Sequence, residues 1–322
     1  MKIIRQVFVI ALLVLLLANI STHSMAQSRK GQRPLPTIRF GALPVIQALP
    51  LFVAFEKGYF TRHGVTVELI PFNSALEKDV ALTAREISGY FGDMMTPMVL
   101  NANGIHVRMA ATIFNSTNNQ RTFAILAAPN SPNRTLKELT EAGIAGSSNT
   151  IIEYITLKIL SFHDIQMENL NMIETKNIPI RLQMLLSGQV PSATLPEPLV
   201  TLAELKGARV VADDAGKGIS PTILAFRLEF LKEHPAEVKK FLAAVHEAMS
   251  FINQNPKEVR PIMNRYCRIP EPLQQDFIIP KFPKLTAPDY NQVMDVYNWL
   301  RKKGIIKAEM NYKQMVSDGY LP

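Results

Sequence analysis

The sequence predicts an α/β protein whose two similar lobes face one cleft. Three observations lead there: strand-like and helix-like stretches alternate from residue 37 onward, one helix–turn–strand ending is echoed later in the chain, and an apolar leader opens the N-terminus. A chain of 322 residues with 47% hydrophobic composition can bury a large core, as one large domain or two smaller ones.

The leader comes first. Lys2 and Arg5 precede the unbroken apolar run from Val7 to Ala18, and Ser24 and Ala26 then supply the small residues of a cleavage site. Residues 1–26 are therefore expected to be a secretory signal peptide, removed after Ala26, with 27–35 a flexible segment behind it. The apolar run falls short of the roughly 18 residues a membrane span needs. No cysteine lies near it, which argues against a lipid anchor, and the chain's one cysteine, Cys267, has no internal partner for a disulfide. Loss of Lys2 and Arg5 with the leader lowers the formal net charge from +8 to +6. That charge is mild and scattered among acids. The clusters at 237–240 and 301–304 read as solvated helix faces, so no nucleic-acid partner is expected.

Beyond the leader, "TIRFGAL" (37–43) is a strand, and "ALPLFVAFEKGYF" (48–60) a helix with Pro50 in its first turn and Gly58 at its end. "VTVELIPF" (65–72) alternates as a second strand, and 74–87 is a helix opened by the capping box Ser74 and Glu77. Strands are predicted near 107–114, 122–127, 192–195, 209–212 and 222–226, with helices from 150 and over 180–186. The final hundred or so residues are predicted to be helical, including 235–253 and 289–304. Alternation of this kind argues for parallel sheets covered on both faces.

The echo locates the candidate site. The helix 74–87 runs into "SGYFGD" and the helix 180–186 into "SGQVPSATLPEP"; each is stopped by Ser-Gly, continues as a short strand and delivers an acid, Asp93 or Glu197. Gly89 and Gly188 suit left-handed positions after the helices. Ligands in α/β sheets sit beyond the carboxyl ends of strands, so the two acids point to one cleft. A third element, "GSSNTIIEYITLKIL" (146–160), opens a helix with a capping-box spacing, Thr150 to Glu153, behind Ser147, Ser148 and Asn149. Each candidate has a plainer use: Asp93, Asn149 and Thr150 as helix caps, Glu197 as a stiffened turn between Pro196 and Pro198, "MMTPM" and Tyr154 as packing.

The stretches 38–72, 85–104, 124–132, 146–160 and 186–198, above all "AFEKGYFTRHGVTVEL", resemble the periplasmic solute-binding proteins of ABC transporters for sulfonates, nitrate and thiamine-related pyrimidines. The resemblance implies a type II periplasmic binding protein: two α/β lobes joined by two crossover strands around a ligand cleft. Lobe one would span 36–125 and 222–322, and lobe two 126–221. Carried over by position, the ligand-facing residues are Leu43 to Gln47, Asp93, Met94, Thr96, Ser148, Asn149, Thr150 and Glu197. It further implies a monomeric periplasmic receptor that passes a small-molecule solute to a membrane permease, with no cofactor. The chain departs from the family in the turns "GY" (89–90) and "VPS" (190–192), and in "ELTEAG" (138–143) where relatives commonly have "DLKG".

Catalytic signatures do not stand out. The histidines at 23, 63, 106, 163, 234 and 246 lack metal-ligand spacing, and there is no G-x-S-x-G elbow or P-loop. Binding rather than catalysis is expected, and a fold-related enzyme of pyrimidine or menaquinone synthesis is the rival reading. Because the ligand-facing stretches carry Asp93 and Glu197 but no arginine or lysine, the solute is expected to be nitrogen-bearing, amine- or pyrimidine-like, with a sulfonate or nitrate as the alternative.

Overall fold

Strand β1 (Ile38–Ala42) forms because Ile38 and Phe40 are apolar at alternate positions, and both are fully buried. The computed structural model describes residues 36–166, 170–219 and 221–322; the expected signal peptide 1–26 and flexible segment 27–35 lie outside the described residues. After β1, a 3-10 turn (Ile46–Ala48) leads into α1 (Leu49–Glu56), which stops at Gly58 with φ +69° before the short α2 (Tyr59–Arg62). Then follow β2 (Val67–Pro71), α3 (Ala75–Thr83), β3 (Gly89–Asp93), α4 (Met95–Ala102) and β4 (Val107–Phe114). The next run is β5 (Phe123–Ala127), α5 (Leu136–Ala142), β6 (Ile144–Gly146), α6 (Ile151–Ser161), β7 (Met172–Glu174), α7 (Ile178–Leu186), β8 (Ser192–Pro196), α8 (Leu199–Leu205) and β9 (Arg209–Asp213). The chain closes with β10 (Thr222–Arg227), α9 (Leu228–Glu233), α10 (Pro235–Gln254), α11 (Pro256–Tyr266) and α12 (Tyr290–Lys302).

The strands form two five-stranded sheets, ordered β2-β1-β3-β10-β4 and β7-β6-β8-β5-β9. The expected parallel pairing holds between β1 and β2, β1 and β3, β6 and β7, and β6 and β8, and is corrected at two strands: β10 runs antiparallel to β3 and β4, and β5 antiparallel to β8 and β9. The reason is connectivity. A strand that enters a sheet from the edge where its neighbours end must run away from that edge, against them. Register makes this explicit, since Thr222 lies opposite Asp93 and Phe114 in the first sheet, while Phe123 lies opposite Pro196 and Ala124 opposite Asp213 in the second. The crossings from β4 to β5 and from β9 to β10 therefore join the two edges at which the parallel strands terminate. They are tied side by side: Gly218 N donates to Ser116 Oγ (3.2 Å), and the buried Asp214 carboxylate accepts from the amides of Thr122 and Phe123 (2.7 and 2.9 Å). The division expected at 125/126 falls inside β5, all of whose pairing is within the second sheet.

Helices cover both sheets. Against the first, Phe241 of α10 stacks on Phe60 (5.1 Å between centroids) and packs on Phe40 (4.7 Å), seating the long C-terminal helix over β1. One helix ending differs from expectation and one agrees with it. The helix predicted over 74–87 stops at Thr83, and the left-handed residue is Arg85 (φ +63°) rather than Gly89. Gly89 is instead inside β3, where an added Cβ would lie 2.4 Å from the Ala225 carbonyl oxygen, so close strand approach demands it. Gly188 does take the left-handed position after α7, at φ +74°.

Candidate functional site

At the edge of the first sheet, the turn after β1 carries Leu43, half-buried against the core, and Gln47, whose side chain is 6% exposed and makes no hydrogen bond among the described residues. The Gln47 amide is not one of the buried groups left without a partner, so it keeps contact with solvent and is open to a polar ligand. Asp93, at the end of β3, caps α4: one carboxylate oxygen accepts from Met95 N (2.7 Å) and Thr96 N (3.1 Å). Its other oxygen has no partner among the described residues. Met94, expected to face ligand, is 1% exposed and packs in the core; Thr96 is half-buried in the first turn of α4.

The edge of the second sheet is wired more tightly. Asn149 sits at φ +60°, turning the chain into α6, and Thr150 is its N-cap. The capping box is shifted by one residue. Thr150 Oγ1 accepts from Ile152 N (3.2 Å), while Glu153 Oε2 reaches back to Asn149 N (2.6 Å) and Glu153 Oε1 takes Lys303 Nζ (2.8 Å). Ser148 N donates to Glu174 Oε2 (3.0 Å), which holds the Glu174 carboxyl below the usual range. The amides of Ser148 and Asn149 are thus taken within the fold, and those of Thr150 and Ile151 are left without a partner among the described residues. Tyr154 is core: its hydroxyl donates to Asp295 (2.6 Å) and its ring meets Trp299 edge-on.

Glu197, the second acid, does not offer a free carboxylate. Arg121 Nε donates to its Oε1 (2.7 Å), and its Oε2 caps α8 by accepting from Thr201 N (3.1 Å) and Thr201 Oγ1 (2.8 Å). The structure therefore brings Leu43, Gln47, Asp93 and Thr96 to the strand-end edge of the first sheet and Ser148, Asn149, Thr150 and Glu197 to that of the second, with both acids used as caps.

Two buried cations at these edges escape a motif-based reading. Arg181 of α7 is fully buried; its guanidinium donates to Thr175 O from Nε (3.0 Å) and Nη2 (2.7 Å), to Thr194 O (2.9 Å) and to Ser147 Oγ (2.6 Å). It thereby ties the ends of β6, β7 and β8 together. No carboxylate pairs with it among the described residues, and burial pulls it down to about 10. Lys78 of α3 is 1% exposed, with Nζ 2.6 Å from Asp79 Oδ1 and 3.6 Å from the centre of the Tyr90 ring, and burial lowers its pKa. Both were visible as periodicity. Arg181 shares a helical stripe with Leu182 and Leu185, and Lys78 one with Ala81 and Leu82, so each stands where an apolar residue belongs.

The chain is similar to several solved structures. The periplasmic aliphatic sulphonate binding protein SsuA from Escherichia coli superposes with a TM-score of 0.75 at 14% identity, over 88% of this chain and 92% of that one. The alkanesulfonate-binding protein SsuA from Xanthomonas axonopodis pv. citri, bound to MOPS, gives 0.74 at 14% identity over 88% and 99%. The periplasmic nitrate-binding protein NrtA from Synechocystis PCC 6803 gives 0.64 at 14% identity over 87% and 84%. No curated protein matches the chain by sequence. At such identities the superpositions establish the fold, that of the periplasmic binding proteins, while the NMT1/THI5-like family model matches residues 46–259 directly. Spanning the whole of the first sheet's parallel strands but β1, all of the second sheet and the return through α10, that match places the chain in the NMT1/THI5-like family.

Proposed function

We propose that this chain is the extracytoplasmic solute-binding component of an ABC importer, a monomeric periplasmic receptor that captures a small organic solute between its two lobes and hands it to a permease. What supports this reading is that the strand-end edges of the two sheets are joined by a pair of short, mutually bonded crossings. A solute that touches both edges stabilises the closed arrangement by its differential contacts, which is what a capture-and-release receptor needs. The binding proteins of sulfonates and nitrate among its structural neighbours support binding over catalysis.

The charge of the solute follows from which groups remain unpaired. The amine- or pyrimidine-like solute expected from Asp93 and Glu197 loses half its basis, because Glu197 is fully engaged by Arg121 and Thr201. The amides of Thr150 and Ile151 and the field of Arg181, which no carboxylate pairs among the described residues, favour a solute with an anionic head at the second edge. The free oxygen of Asp93 keeps a nitrogen-bearing group at the first edge as the second reading. Calorimetric titration with alkanesulfonates, nitrate, aminopyrimidines and amines tests both. An anion-bearing solute is expected to bind, with Thr150→Ala and Asp93→Ala each weakening it in a folded protein; if neither substitution changes affinity for the solute that binds, the cleft is elsewhere.

A further inference from the structure

The opposite edge of the first sheet carries a cavity that the solute reading does not use. β10 leaves the cleft edge at Thr222 and ends at Arg227, five residues on and roughly 17 Å away. There, the end of α3, the segment before β4 and helix α9 enclose about 400 Å3, a volume within the range of small-metabolite sites. Its lining is rich in cations: Arg85, Arg227 and Lys232 with His106, against Glu229 and Glu233.

The cations are short of acceptors. Arg227 has its side chain only 17% exposed, and one nitrogen, Nη2, pairs with Glu229 Oε1 at 2.8 Å. Its Nε and Nη1 are buried without any hydrogen-bond partner. Arg85, held at the left-handed φ of +63°, brings a second guanidinium to the other oxygen of the same carboxylate, at 3.3 Å. One carboxylate thus serves two guanidiniums, and two buried N–H groups of Arg227 have nothing to donate to among the described residues, an unfavourable state in a protein interior. A non-glycine residue in the left-handed region is itself a conformation that surroundings must hold in place.

We infer that this cavity is a binding site for a small oxyanion, phosphate or carboxylate, drawn in by the excess of cationic side chains on its lining, Arg227, Arg85 and Lys232. Guanidinium forks bind such groups in a bidentate way that a lone ammonium does not match. The site is independent of the solute cleft, on the far edge of the first sheet.

Calorimetric titration of the purified full chain with sodium phosphate and, separately, sodium succinate at constant ionic strength tests the inference; the anion that binds names the source. Saturable one-site binding is expected, weakened about tenfold or more by Arg227→Met and measurably by Arg85→Ala. Arg85 is well exposed, so its substitution reads the site even where Arg227→Met fails to fold. Absence of binding by either anion up to about 10 mM, a threshold near −2.7 kcal/mol, overturns the inference. So does binding that survives both arginine substitutions, or binding lost in Thr150→Ala alone, which would place the anion in the cleft.

Discussion

Replacing Arg181 with methionine probes the most concentrated interaction in the second sheet. The substitution removes four donated hydrogen bonds to three acceptors, Thr175 O, Thr194 O and Ser147 Oγ, and leaves the side chain's volume nearly filled. At about 1.5–3 kcal/mol per charged hydrogen bond, three orphaned acceptors correspond to roughly 5–9 kcal/mol of gross loss. Against this, removing a buried cation that has no ion-pair partner recovers several kilocalories of desolvation. The net expectation is a destabilisation of about 2–4 kcal/mol, or a fall of roughly 3–6 °C in melting temperature for a chain of this size. Denaturant unfolding of the wild type, Arg181→Met, Ser147→Ala and the double variant gives both the net loss and the Arg181–Ser147 coupling, expected within about 0.5–3 kcal/mol. Because Ser147 opens the turn carrying Thr150, solute affinity should fall as well. An unchanged or raised stability in Arg181→Met, with zero coupling to Ser147, would refute the idea that the guanidinium ties the three strand ends.

Three further outcomes are expected. Gly89→Ala forces a Cβ to within 2.4 Å of the Ala225 carbonyl oxygen, so it should cost about 3 kcal/mol or more in denaturant unfolding, whereas Gly188→Ala, in open space at φ +74°, should cost only about 1 kcal/mol. Glu197→Gln should raise the mobility of the start of α8, seen as faster amide exchange at Thr201, since it weakens both the cap and the Arg121 pair. Glu174 is held below its usual pKa by Ser148 N–H, so the unfolded chain binds more protons there in the acid window; its contribution is complete above about pH 4.5 and is lost as pH falls through the depressed folded value. Solute affinity should therefore drop on acidification below about pH 4.5 in the wild type. In Glu174→Gln it should be weaker throughout and flatter with pH, as read by titration at successive pH values.

What the sequence determined by itself is whatever local chemistry controls. Alternation placed the strands near 38–42, 67–71, 107–114 and 222–227, and cap spacing placed the starts of α3 and α6. The family was legible in "AFEKGYFTRHGVTVEL". The three-residue strands β6 and β7 escaped because alternation needs more residues than they have. Direction in the sheets was decided only in three dimensions, since β5 and β10 run antiparallel through their entry from the other lobe, which no local pattern encodes. The electrostatics of the cleft were decided there too. An acid at a strand end reads the same in sequence whether it is free or engaged, and only the approach of Arg121, 76 positions away along the chain, shows Glu197 to be engaged. Likewise Arg181 and Lys78 stand on helix stripes that periodicity alone assigns to the core; folding buries their charges there because distant carbonyls, hydroxyls and a neighbouring carboxylate converge to receive them.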